Sequence, residues 1–208
     1  MSITSRLSSQ SGDRTESANR AVAGQCLAHP ELLDELVPGL AGSDAALAGD
    51  CAEVMTKVAE IRPDLVAPYA RELTALLKHR TTRVRWEAMH ALALIADTNP
   101  RIITPLLPTL EELIHNDGST IVRDYAVETL ARYAGTGKAA AQRAYPLLQE
   151  GAIACGGKHA GRALTGLMNV AAHMPDLREQ IHDFGSRFLD AGKGVVRTAA
   201  KRLVKATQ

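Results

Sequence analysis

The sequence predicts an all-α superhelix stacked from about five helical pairs. Three observations predict it. The first is an apolar stripe in the stretch from Arg83 to Thr98, where Val84, Ala88, Ala91, Leu92 and Ile95 fall on one side of a helix. The second is recurrence. About 38 residues downstream, a spacing within the range of helical repeat units, Val122, Ala126, Thr129, Leu130 and Tyr133 fill the same five places. An upstream copy reads Leu47, Cys51, Val54, Met55 and Val58, and a weaker one near the end reads Val196, Ala200, Leu203 and Val204. The third is a shared opening word, Val84-Arg85, Val122-Arg123 and Val196-Arg197, in a chain with essentially no strand signals.

In chain order, residues 1–13 are expected to form a disordered N-terminus and residues 14–208 a single helical-repeat domain. The terminus is Ser-rich, carries Arg6 and Arg14, and lacks the apolar run of a secretory signal; a faint likeness to an organellar transit peptide competes with a frayed, solvated end. Glu16 to Ala28 reads as a helix that ends before Pro30, and Glu31 to Leu40 as a short one with Pro38 late in it. Gly42-Ser43-Asp44 supplies turn and cap chemistry for a helix from Ala45 to about Ile61, which stops before Pro63. Asp64 to Lys78 is apolar at Leu65, Val66, Tyr69, Leu73, Leu76 and Leu77, and Thr81-Thr82 caps the helix that follows. Pro100 separates that helix from the next, Arg101 to His115, which contains Pro105 and Pro108. Asn116 to Ser119 is a turn with a cap before Ile121 to Ala134. Gly135 and Gly137 close that helix, Ala139 to Cys155 follows with Pro146 inside, and Gly156-Gly157 breaks it. His159 to His173, Asp176 to Leu189 and Val195 to Ala206 complete the array.

Composition narrows the function classes. The 208 residues carry a net charge of +1, so no bulk attraction to nucleic acid or membrane is implied. Aromatics are scarce, with two Phe, one Trp and four Tyr. The three cysteines, Cys26, Cys51 and Cys155, are scattered with no CxxC, which suits a reducing compartment and a cytoplasmic location. Cys51 sits in a core stripe and reads as a small buried hydrophobe. No apolar run reaches membrane-spanning length.

Helices come in pairs, A then B, with prolines at the start of the A helix or inside it. Pro68 with Val84-Arg85, Pro105 with Val122-Arg123, and the Ala-x-x-(Ala/Thr)-Leu core of each B helix resemble the HEAT repeat family. The resemblance covers Pro30 to Thr207 and is most specific in the two central repeats. In the fourth repeat His159 and Ala160 stand at the Val and Arg positions, and the arginine comes only at Arg162. The resemblance implies a right-handed α-α superhelix, A helices on the convex side, B helices on the concave side, and a repeated arginine (Arg85, Arg123, Arg197) bonding acidic or carbonyl groups of the adjoining unit. Ligand binding is the other use of that arginine ladder.

The face opposite each core stripe can be read at about 100° per residue. It gives Glu53, then Trp86 and His90, then Asp124 and Glu128 as candidate partner-binding residues on a concave face. The single tryptophan lies about 180° from the core stripe, so it is expected to be exposed as a contact site; packing under a neighbouring repeat is the alternative. Lys78, Arg80, Arg83 and Arg85 form a basic turn, and Lys193, Arg197, Lys201, Arg202 and Lys205 a basic tail; each is either a phosphate contact or a solvated surface. No metal or cofactor is expected. The histidines show no HxxxH or HxH spacing, and there is no phosphate-loop, dinucleotide or nucleophile-elbow motif. His-Glu dipeptides, with which HEAT-like deoxyhypusine hydroxylase holds two irons, are absent. The several cleft aromatics of HEAT-like alkylpurine DNA glycosylases are missing too.

The reading is a non-catalytic scaffold that binds a protein or peptide on its concave face, with no membrane and no small-molecule substrate. The alternative is nucleic-acid binding or DNA repair through the basic turn 78–85, and a catalytic HEAT-like enzyme is the third class. The shared place of Leu92 and Leu130 in the repeated stripe yields the first prediction: Leu92→Ala lowers stability by about 2–5 kcal/mol in denaturant melts. A loss below about 1 kcal/mol would place the stripe or the register elsewhere.

Overall fold

The computed structural model describes residues 2–13 and 15–208; Arg14 lies outside them. The chain divides into two compact units, one up to Thr98 and one from Asn99 to Gln208. Among the described residues regular structure is entirely helical, and no helix is long and apolar enough to cross a membrane.

The first unit contains α1 (Ser8–Ser11), α2 (Ser17–Ala28), α3 (Val37–Ala41), α4 (Ala45–Ala59), α5 (Pro63–Val66), α6 (Ala70–Ala75) and α7 (Thr82–Ile95). Helix α4 packs on α2, α3 and α7, and α6 covers α7. Asp44 starts α4 by accepting from the amides of Ala46 and Leu47 at 2.9 and 3.2 Å. Thr81 stands at the N-cap of α7 without a side-chain bond to it; instead its amide donates to His79 Nδ1 at 3.0 Å. The A helix expected over Asp64 to Lys78 is broken into α5, a 3-10 turn at Ala67–Tyr69, α6 and a second 3-10 turn at Leu76–Lys78. Pro68 explains the first break, because its ring removes an amide and crowds the preceding turn.

The N-terminus is not a disordered tail. Ile3–Arg6 forms a 3-10 turn and α1 follows it. Ile3 is 4% exposed and Leu7 fully buried. The Ile3 amide donates to Glu35 Oε2 at 2.9 Å, the Ser8 amide to Asn19 Oδ1 at 3.0 Å, and the Ser9 amide to Asp50 Oδ2 at 2.7 Å. The physical reason is that two apolar side chains one turn apart cover the end of a stack that would otherwise meet water.

The second unit contains α8 (Pro100–Ile103), α9 (Leu107–Asn116), α10 (Thr120–Ala134), α11 (Lys138–Gly157), α12 (Ala160–His173), α13 (Arg178–Ser186) and α14 (Gly194–Ala206). The B helices α10, α12 and α14 pack in series, with α9, α11 and α13 as their A-helix partners. Pro105 again splits an A helix, leaving a 3-10 turn at Thr104–Leu106 between α8 and α9. In α11 helical geometry fails at Ala154–Gly156, where Cys155 and Gly156 take φ of 54° and 67°. The left-handed backbone suits Gly156, whereas Cys155 adopts it against the Cβ penalty.

The repeated stripes are the core. Leu92 and Leu130 are fully buried, as are Val84, Val122, Cys51 and Met55, and Tyr133 is 1% exposed with its hydroxyl 2.9 Å from Thr104 Oγ1. Burial pushes the thiols of Cys26 and Cys51 up to about 11 and about 12, so both behave as apolar fillers.

The B helices of the second unit approach closely enough to exclude a methyl group. A Cβ on Gly166 of α12 would lie 2.8 Å from Ala131 Cα and Cβ and 2.8 Å from Leu148 Cδ2. Gly166→Ala should therefore cost about 1–2 kcal/mol despite alanine's higher helix propensity, because overpacking a tight core outweighs it. Gly24→Ala on the exposed face of α2, where a Cβ meets nothing within 4 Å, should instead raise stability by up to about 1 kcal/mol. Paired thermal melts test both; equal effects would show that α12 does not touch α10 through its backbone.

Candidate functional site

The second unit carries the larger recess, a groove of about 800 Å³ across the polar faces of α10, α12 and α14. Its acidic edge is Asp124 and Glu128, one turn apart on α10. Both are engaged from within. His159 Nδ1 lies 3.0 Å from Asp124 Oδ1, and Arg162 Nε donates to Asp124 Oδ2. Arg162 Nη1 donates to Glu128 Oε2, and Arg132 Nε reaches Glu128 Oε1 at 3.1 Å. Burial raises the Asp124 carboxyl, but its bonds to His159 and Arg162 outweigh burial and hold it below its ordinary value. The Arg162 guanidinium also stacks 5.7 Å over the Tyr125 ring. His159 is 2% exposed, and its Nε2 has no hydrogen-bond partner among the described residues.

Beyond that edge the groove floor is small and neutral, with Gly161, Thr165, Thr198 and Ala199. Asn169 is held by its amide, which donates to the Ala131 carbonyl at 2.8 Å. Val195 stands on the rim, 70% exposed. Lys158 and Arg202 also line the groove, both exposed and neither in a salt bridge among the described residues.

The first unit repeats the same clasp at its own B helices. Arg83 of α7 donates through Nη2 to Asp50 Oδ1 and to Glu53 Oε2 of α4, each at 2.7 Å. Asn19 Nδ2 reaches the same two carboxylates at 3.0 and 2.9 Å, and Lys57 Nζ lies 3.1 Å from Glu53 Oε1. Burial raises the Asp50 carboxyl, but bonds from Ser9, Arg83 and Asn19 more than compensate and lower it overall. Glu87 goes the other way: burial pushes it up, only partly offset by Trp86 Nε1, which donates to Glu87 Oε1 at 2.7 Å. A smaller recess beside the clasp is lined by Trp86, Glu87, Asp13, Glu16 and the Ser8-Ser9 backbone turn.

These placements revise several sequence expectations. Glu53 is not an open contact residue; it is 7% exposed, because α2 and the N-terminal turn cover that side of α4. Trp86 and His90 are half-buried rather than open, and the tryptophan's indole nitrogen is already bonded. Asp124 and Glu128 share one helix face, yet every carboxylate oxygen there already accepts a hydrogen bond from an internal side chain. The basic turn does not present four free cations. Arg83 is spent on Asp50 and Glu53, and Arg85 Nη1 donates to the carbonyls of His79 and Arg80 at 2.8 and 3.1 Å, leaving Lys78 and Arg80 exposed.

The arginines of the ladder bond backbone carbonyls. Each arginine ties down its own A-to-B turn, five or six residues back. Arg123 Nε donates to the Asp117 carbonyl, and Arg197 Nη1 to the Ala191 and Gly192 carbonyls at 2.7 and 2.9 Å, as Arg85 does to its turn. Arg123 Nη1 additionally meets Cys155 Sγ at 2.6 Å. The residues that sequence reasoning missed are Asp50, Lys158 and His159. Asp50 adjoins a core cysteine, and a lone carboxylate there gave no signal until Arg83 was seen beside it. Among the described residues no group of three or more His, Cys, Asp or Glu is placed to hold a metal ion.

Helical pairs with B helices in series are the fold of armadillo/HEAT-like repeat solenoids. Solved structures bear this out. A designed armadillo repeat protein superposes with a TM-score of 0.72 at 17% identity, covering 99% of this chain and 98% of that one. Another designed armadillo repeat protein, in complex with the peptide (KR)4, gives 0.73 at 17% identity over 99% of this chain and 98% of that one. UNC-45 from Drosophila melanogaster gives 0.68 at 12% identity, covering 98% of this chain and 30% of its own. No protein-family model and no curated protein matches the chain.

The two clasps generate a pH dependence. Asp50 and Asp124 have carboxyls lowered in the folded state, so their stabilisation is present above the unfolded value, about 3.9, and is lost as pH falls through the lower folded values. The melting temperature should change little between about pH 7 and 5 and fall steeply below about pH 4. Asp124→Asn should melt lower at neutral pH and show a shallower acid limb. An unchanged limb would mean that the Arg162 clasp contributes nothing to stability.

Proposed function

We propose that the protein is a non-catalytic scaffold, acting in the cytoplasm, that binds a peptide or an extended segment of a partner protein in the groove over α10, α12 and α14. The observation that carries this reading is the groove itself. It has room for several side chains, small residues along the floor, polar groups that can bond a peptide backbone, and one exposed valine on the rim. The fold supports it as well, since a designed armadillo repeat protein of the same architecture is seen in complex with a peptide. The clasps support a rigid platform, because side chains locked before binding lose little freedom on binding. In the first unit, half-buried Trp86 and His90 of α7 serve as a separate, secondary contact.

A display selection of random peptides on the full chain tests this reading. Selected peptides should bind with dissociation constants in the micromolar range, about 8 kcal/mol of binding free energy. Thr165→Trp, which fills the groove from an exposed position, should weaken them at least about tenfold while leaving the melting temperature unchanged. Selected peptides that bind this variant as well as the wild type would place the site elsewhere.

A further inference from the structure

We infer that the groove of the second unit selects an acidic segment, a stretch of peptide carrying Asp or Glu beside a small apolar residue. This rests on the binding reading above and names the chemistry of the occupant. The sequence suggests the opposite, because Asp124 and Glu128 look like a site for Lys or Arg. Their oxygens are not on offer. Asp124 accepts from His159 and Arg162, and Glu128 from Arg162 and Arg132, so an incoming cation would have to displace an internal one that is already in place.

What remains uncompensated is positive. The lining holds Arg132, Lys158, Arg162 and Arg202 against only two carboxylates, and the two clasped arginines account for those carboxylates. Lys158 and Arg202 stand exposed with no salt-bridge partner among the described residues. Lys201 and Lys205 flank Arg202 on the exposed side of α14, and no acidic residue follows Asp190. The uncompensated positive charge at the groove carries a field that reaches about 8–10 Å into physiological salt. Such a field steers acidic partners inward and rejects basic ones.

The remaining lining separates a peptide from a nucleic acid. No Phe, Tyr or Trp lines the groove, so bases have nothing to stack on. The exposed Val195 beside Gly161 and Ala199 offers a shallow apolar contact suited to a small side chain. The solenoid solved with the peptide (KR)4 takes a ligand of opposite sign; a shared fold does not set which charge is bound, and the groove side chains do.

The test uses the full chain and two readouts. In the display selection the recovered pool should be enriched in Asp and Glu and depleted in Lys and Arg. In anisotropy titrations, a labelled octapeptide alternating Glu with Val should bind at least about tenfold tighter than its Gln counterpart, and weaken as salt rises, while its Lys counterpart should not saturate. Lys158→Glu combined with Arg202→Glu should abolish that preference without moving the melting temperature, since both side chains are exposed. A pool without acidic enrichment, or a Lys peptide that binds as well as the Glu peptide, overturns the inference and leaves the groove reading standing. Failure to select any groove-dependent peptide overturns both. An oligothymidylate that binds tighter than the Glu peptide, and is lost in the double variant, overturns the inference by assigning the cations to phosphates.

Discussion

Each B helix has an apolar stripe that one A helix cannot cover alone, and that shortfall organises both units. The stripe of α7 needs α6 on one flank and α4 on the other; that of α12 needs α11, α10 and α14. Burial of such a stripe is non-directional and scales with area, so the helices gain most by packing in series. Close approach then follows from residue size. Gly166 and Ala131 let α10 and α12 meet almost backbone to backbone, and Gly39 lets α3 reach the sulfur of Cys51.

Packing in series brings the polar flanks of successive B helices together, and there the two units use the same solution. An arginine on the later helix bridges two carboxylates on the earlier one, Arg83 with Asp50 and Glu53, Arg162 with Asp124 and Glu128. Carboxylates this poorly solvated are costly unless they are bonded, and a planar guanidinium satisfies two of them at once. The clasp also changes the chemistry of the surface. It neutralises the acidic edge of the groove and leaves Lys158 and Arg202 to set its sign.

The first unit meets a further demand, since a repeat stack exposes its apolar flank where it ends. The N-terminal turn and α1 answer it by burying Ile3 and Leu7 and donating two backbone amides to Asn19 and Asp50. The same cover removes Glu53 from the surface, and Trp86 lines a recess beside it. What a helical wheel assigns to an open face is closed by a segment whose composition reads as unstructured.

The sequence by itself determined the helical class, the pairing, the core and the punctuation. These are local or periodic properties: the stripes of Leu92 and Leu130, the cap at Asp44, and the proline interruptions at Pro68 and Pro105 are each written within a few residues of where they act. Solvent exposure was legible only on the side facing the core. The opposite side depends on what else reaches it, and for α4 that was a serine-rich turn about 40 residues away in the chain, a separation that no helical period encodes. Charge was the least legible. Arg83, Asp50, Arg162 and Glu128 are individually ordinary surface residues in the sequence, and only tertiary packing made them pairs, because a carboxylate's availability is decided by the cation that the fold has placed within bonding distance.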